Sequence, residues 1–183
     1  MKLSRYKIIV VILALTLLYG CDGNTPLMKA VMDSNVEETK ALLSSGAEVD
    51  GRNNYNWTAL MHAARQGNTT LAGILLDNGA DINAQDENGL TPLIRATIKG
   101  HDDMVALLIK RGADVNITDG SDSSAMHWAA NRGHDVIVRL LLDAGADIST
   151  RNVQMVTPLE MATSKGHGNI ILMLRKAEQN QRK

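Results

Sequence analysis

The sequence predicts an all-α repeat fold, a stack of five helix–turn–helix units. Two observations carry that prediction. The first is a shared 33-residue register. Thr25, Thr58, Thr91, Ser124 and Thr157 form one series, and Ser34, Gly67, Gly100, Gly133 and Gly166 a second. Gly46-Ala47, Gly79-Ala80, Gly112-Ala113 and Gly145-Ala146 form a third, and Leu42, Leu75, Leu108, Leu141 and Leu174 a fourth. Self-similarity at a period of this length marks stacked supersecondary units, none of which can bury its apolar face alone. The second is composition. The 183 residues are 44% hydrophobic yet hold no Phe and only 3% aromatics, so the core is built from Leu, Ile, Val, Met and Ala.

Each element follows from residue chemistry. Thr or Ser opens the first helix of each unit as an N-cap. All three prolines, Pro26, Pro92 and Pro158, fall one residue later, where a missing N–H costs nothing. Ala30, Ala63-Ala64, Ala96 and Ala129-Ala130 let neighbouring helices approach closely. The glycine that follows suits a left-handed helix end. The second helix shows one apolar face at i, i+3, i+4: Leu71-Ile74-Leu75, Met104-Leu107-Leu108, Ile137-Leu140-Leu141 and Ile170-Met173-Leu174. The next glycine stops it, and a polar turn such as Asp86-Glu87-Asn88-Gly89 leads on. Unit one is polar at Glu37, Glu38 and Lys40, as a solvent-facing cap should be. Unit five runs into the polar segment 175–183 and caps the other end.

These motifs resemble the ankyrin repeat over residues 23 to about 177. The steps read TPLMKA, TALMHAA, TPLIRAT, SAMHWAA and TPLEMAT. The resemblance implies a solenoid with short β-hairpin fingers between units, over a repeat domain 25–177 with a polar tail 178–183. Only His127 keeps the family's histidine at the fourth motif position. Met28, Met61, Ile94 and Glu160 replace it, with the expected loss of a local hydrogen bond.

The N-terminus reads as a targeting segment. Lys2, Arg5 and Lys7 precede an apolar run from Ile8 to Tyr19, broken only by Thr16. A spanning helix needs roughly 20 apolar residues, so residues 1–20 read as a secretory signal peptide. The run ends Leu18-Tyr19-Gly20-Cys21, which resembles a bacterial lipobox, although Tyr19 is less usual there than Ala or Ser. Cys21 is the chain's one cysteine, so no internal disulfide or multi-cysteine zinc site can form. It is the expected lipidation site, with residues 21–24 as a short tether. Thr25 lies four residues on, a reach of about 14 Å. The expected location is the cell envelope, lipid-anchored on the periplasmic face, with a membrane-proximal partner. Asp22 slightly favours the inner membrane over the outer.

Nineteen basic residues against twenty acidic give a net charge of −1, which argues against a nucleic-acid partner. His101, His134 and His167 follow the repeat glycines and read as turn residues, one per unit and too far apart to share a metal. No G-x-S-x-G elbow or phosphate loop occurs. The expectation is no catalytic residue, no metal, no cofactor and no small-molecule substrate.

The resemblance places partner contacts on the finger tips and the exposed face of the first helices. Carried onto this chain, those positions include Tyr55, Trp57, His62, Arg65, Leu90, Arg95, Ile98, Lys99, Trp128, Asn131 and Arg132, with Val153, Met161 and Lys165 in the last finger and unit. His62, at a variable helix position, reads as a surface contact. Tyr55, Trp57 and Trp128 are the only aromatics after the signal, and Tyr and Trp dominate binding hot spots. The alternative for the two tryptophans is that they cover neighbouring units. Arg65, Arg95, Lys99, Arg132 and Lys165 read as a basic palm beside acidic fingers carrying Asp86, Glu87, Asp119 and Asp122. A protein-binding scaffold fits this surface. An inhibitor of a periplasm-acting toxin or hydrolase is the alternative.

Overall fold

The computed structural model describes residues 22–181. Residues 1–20, the expected signal peptide, Cys21 and Arg182-Lys183 lie outside the described residues. Among the described residues ten helices pair into five units: α1 (Pro26–Met32) with α2 (Val36–Ser44), α3 (Ala59–Gln66) with α4 (Thr69–Asp77), α5 (Pro92–Lys99) with α6 (Asp102–Lys110), α7 (Ala125–Arg132) with α8 (Asp135–Asp143), and α9 (Pro158–Lys165) with α10 (Gly168–Gln181). The last helix runs on to Gln181, so most of the polar C-terminal segment is helical.

The first helices begin as their sequence dictates. The hydroxyls of Thr25, Thr58, Thr91 and Thr157 accept the backbone N–H three residues on, at 3.2–3.4 Å. Such a cap contributes about 1 kcal/mol. At Ser124 the closing bond comes from His127, whose Nδ1 accepts the Ser124 N–H at 3.2 Å while Nε2 donates to the Val156 carbonyl at 3.1 Å. These two bonds require a neutral ring, and burial holds its pKa below the ordinary value. Glu160 corrects one expectation. Its carboxylate accepts the Thr157 N–H at 2.8 Å, so unit five keeps the local bond that the loss of histidine should have removed. A carboxylate at N3 completes a capping box as well as an imidazole does.

The first helices end in the left-handed region at Gly67, Gly100, Gly133 and Gly166, and Ser34 adopts the same conformation in unit one. Glycine has a second reason to stand at Gly100. A Cβ there would lie 2.7 Å from the His134 ring. His101 covers Gly67 and His167 covers Gly133 in the same way. His101 Nε2 also meets the Arg65 carbonyl at 3.0 Å, and His167 Nε2 the Asn131 carbonyl at 3.2 Å. The periodic histidines are therefore interlocks between units.

Stacking buries the repeated leucines. Leu75, Leu108, Leu141 and Leu174 are fully buried, with Leu71, Met104, Ile137 and Ile170 beside them. Leu42, in the end unit, is half-buried. The small residues Ala63, Ala64, Ala96, Ala129 and Ala130 are buried between first helices, which pack more closely on one another than the second helices do. Units that approach more closely on one side form an arc with that side inside. The first helices thus line the concave face.

The fingers are turns more than strands. Among the described residues the only isolated β-bridge joins Thr118 and Ser124. One backbone bond stitches each finger to the next: Asn54 to Asp22, Glu87 to Tyr55, Gly120 to Asn88 and Val153 to Ser121, each N–H to carbonyl at 2.8–3.3 Å.

Candidate protein-binding face

The fingers and first helices enclose a groove along one side of the stack. What shapes it is a fifth periodic series, Asn53, Asp86, Asp119 and Asn152, all buried. Each Oδ1 accepts two backbone N–H groups of its own finger: Tyr55 and Trp57, Asn88 and Leu90, Ser121 and Ser123, Gln154 and Val156, at 2.8–3.1 Å. The other side-chain atom depends on residue type. Asp86 Oδ2 holds the Arg95 guanidinium, and Asp119 Oδ2 accepts the Trp128 Nε1–H at 2.8 Å. Where the residue nine positions on makes no bond to the anchor, at His62 and Met161, the anchor is asparagine. Its amide points back to the preceding unit, from Asn53 to Asn24 Oδ1 at 2.7 Å and from Asn152 to Ser123 Oγ at 3.5 Å. Acid is used where a cation or indole N–H must be met, and amide where it need not be.

Two of the four expected finger acids are therefore not free. Asp86 and Asp119 are internal anchors, whereas Glu87 and Asp122 remain exposed. Arg95 leaves the basic palm for the same reason. Its side chain is 11% exposed, and the Asp86 carboxylate it meets is fully buried. Burial and the neighbouring Arg65 lower its pKa to about 10, so it stays charged at neutral pH and that charge is answered by Asp86.

Trp57 sits at the centre of this arrangement. The Arg95 guanidinium lies 3.4 Å from its ring centroid and that of Arg65 5.6 Å, and the His62 ring is tilted at 4.8 Å. Arginine over an indole face is a favourable cation–π contact. Trp57 is half-buried and joins unit two to unit three. His62 is buried, 7% exposed, and is not a surface contact. Indole, arginines and the adjoining helix cover it. Burial first, then Arg65 and Arg95, hold its pKa at about 4.

The remaining candidate positions fall into three groups. Tyr55 is 52% exposed, and Arg65, Lys99 and Arg132 are exposed on the last turns of their helices. Leu90, Ile98 and Trp128 are half-buried and pack on the core. Asn131 is half-buried and accepts through its carbonyl from His167. Tyr55, Trp57, His62, Arg65, Leu90 and Arg95 come together around an N-terminal recess of about 490 Å³, and Trp57, Arg65, Arg95, Ile98 and Lys99 around its flank. Trp128 and Asn131 line a separate groove of about 730 Å³.

That second groove brings together three expected contact positions, Val153, Met161 and Lys165, and one that sequence reasoning missed, Met155. Val153 and Met155 of finger four, 60% and 67% exposed, stand over it, with Met161 and Lys165 on the opposite wall. The register could have flagged Met155. Gly23, Asn56, Gly89, Asp122 and Met155 are spaced by 33 and all adopt positive φ.

Among the described residues no three histidine, cysteine or acidic side chains converge as a metal site would require, and no helix is long and apolar enough to cross a membrane. Fold and face together define a helical repeat protein with a binding groove. Family models agree: one for ankyrin repeats in three copies matches residues 7–86, one for a single ankyrin repeat residues 88–120, and one for ankyrin repeats in many copies residues 108–162. The chain belongs to the ankyrin-repeat family, whose members typically mediate protein–protein interaction as non-enzymatic scaffolds. Comparison with curated proteins finds no match.

Proposed function

We propose that this protein is a lipid-anchored, extracytoplasmic scaffold that binds a membrane-proximal partner protein through its concave face. The observation that carries the binding role is the one-sided groove. Exposed Tyr55, Val153 and Met155 stand on the finger side, and exposed Arg65, Lys99, Arg132 and Lys165 on the helix side. Apolar anchors ringed by charge suit a folded protein, which can span several units at once. The anchoring role rests on Leu18-Tyr19-Gly20-Cys21 after a basic, then apolar, leader. Acyl chains on Cys21 would hold the stack near the bilayer, since more than one chain gives stable attachment.

One experiment addresses both parts. The full chain, expressed with an affinity tag, is captured from detergent-solubilised envelope. Cys21→Ala abolishes lipid labelling and moves the protein to the soluble fraction. A Tyr55→Ala, Arg132→Ala, Met155→Asn triple variant, which touches both halves of the groove, loses the co-captured protein while a convex-face Arg139→Ala control keeps it. Capture that survives the triple variant would sink the concave-face reading. Membrane retention of unlabelled Cys21→Ala would sink the lipid anchor.

A further inference from the structure

We propose that the primary docking subsite is the C-terminal half of the groove, and that it takes an acidic segment of the partner protein carrying one bulky apolar side chain. The apolar side chain seats between finger four and the Trp128–Met161 wall, and flanking carboxylates pair with Arg132 and Lys165. This rests on the reading that the groove binds protein, and adds which half does so and for what chemistry.

The first observation is Met155. Its register position is left-handed in every unit, and the other occupants are Gly23, Asn56, Gly89 and Asp122. Those are the residue types that tolerate positive φ. Methionine at φ 60° bears a conformational cost, and its side chain recovers little of it by burial, being 67% exposed. Strained backbone of this kind concentrates where a side chain is displayed for contact. Methionine is also the side chain that adapts best to another apolar surface. Val153, 60% exposed, stands beside it on the same finger.

The second observation is the recess these residues overhang, about 730 Å³, with Trp128 and Met161 on its wall. Trp128 is held in place through its Nε1–H on Asp119, so the wall is rigid before any partner arrives. The N-terminal half differs. There the Trp57 face is already occupied by the Arg95 guanidinium.

The third observation is uncompensated charge. Arg132 and Lys165 occupy equivalent positions on α7 and α9 and are exposed. Among the described residues neither takes part in an ion pair. The acid lining this groove, Glu160, is engaged by Arg151 and by the Thr157 N–H. Asp119 is buried beneath Trp128; Asp122, at the tip of finger three, and Arg132, next in sequence to the lining residue Asn131, both stand outside the lining, which leaves Lys165 as the cation on the recess itself. A cation beside a recess whose apolar lining is Trp128, Val153, Met155, Val156 and Met161 fits carboxylates flanking an apolar side chain. The recess lies between fingers and helices, where a segment of chain can enter and a flat bilayer cannot.

The test uses the full chain in mild detergent. Peptides are selected on it from a random library displayed on phage, then synthesised and measured by fluorescence anisotropy. The expected winners are acidic around one bulky apolar residue. Their affinity falls about tenfold or more in Met155→Asn and in Lys165→Glu, and weakens as salt rises. Met155→Asn carries the residue that finger two uses at the same position, so its thermal melt does not fall, which separates lost contact from lost fold. Neutral or basic winners, no winners, or binding unchanged in Met155→Asn would overturn the inference. Winners that depend on Tyr55 and Arg65 but not Met155 would overturn it while leaving concave-face binding standing. Binding of the detergent-free Cys21→Ala protein to phosphatidylglycerol vesicles, lost in the same variants with no peptide selected, would replace the partner segment by a membrane and also overturn it.

Discussion

At the scale of the residue, His62 has the most legible consequence. It is buried against Trp57, beside Arg65 and Arg95, and its pKa is lowered from 6.5 to about 4. On acidification the unfolded chain takes up this proton near pH 6.5, and the folded chain only near pH 4. The unfolded state therefore binds more protons between those values. Stability is fully present above about pH 6.5, falls as pH drops through the window, and levels off below about pH 4. The contribution is on the order of 3 kcal/mol at its limit. Urea melts at about pH 7 and about pH 4.5 should show a large acid loss in wild type and a smaller one in His62→Gln. His127, Asp147 and Glu160, whose pKa values are also lowered, contribute to what remains. Equal acid losses in both proteins would mean that His62 is not held neutral. Nothing in the sequence announced this residue as buried. It occupies a variable register position, and only the indole of Trp57 and the two arginines make it internal.

At the scale of the element, each finger hangs on one buried side chain. Asp86→Ala removes the acceptor of two finger N–H groups and leaves the Arg95 cation buried without its counter-charge. Breaking a buried pair from one side costs about 3–5 kcal/mol. Asp86→Asn keeps the Oδ1 acceptor of the two finger N–H groups but turns an NH2 donor toward Arg95 in place of Oδ2, so it preserves the finger bonds alone and should cost less than Asp86→Ala. Thermal melts that rank the two equally would show that the finger bonds are immaterial. The anchor series was present in the sequence at Asn53, Asp86, Asp119 and Asn152, yet the mixture of amide and acid hid it. The mixture makes sense once the partner nine residues on is known, since Arg95 and Trp128 donate to the acid. The same contacts explain why Asp86, Asp119 and Arg95, read along the chain as exposed charge, are internal.

At the scale of the whole molecule, stability is a sum over neighbouring units. Leu108 is fully buried in α6, which packs between α4 and α8, so Leu108→Ala should cost about 2–5 kcal/mol. Leu174 is as deeply buried, but α10 has a unit on one side alone, and Leu174→Ala should cost less. Urea melts decide between them, and an equal or reversed order would argue against a linear stack. The face that results is shared by all five units, which is why binding residues far apart in sequence line one groove.

The sequence by itself determined the number of units, their boundaries, the caps and the buried leucines. A 33-residue period repeats every local rule, so each helix start, left-handed end and apolar face is specified within its own unit and checked against four copies. The closing bonds of Thr25, Thr58, Thr91 and Thr157 are local in this sense. Tertiary structure alone decided which exposed-looking side chains are internal, which charges are already answered, and which half of the groove remains open. Those depend on contacts across units, such as Arg95 over Trp57 and the ring of His134 on Gly100, whose partners stand about one repeat or more apart in the chain. Spacing within a unit cannot report a burial that is created between units.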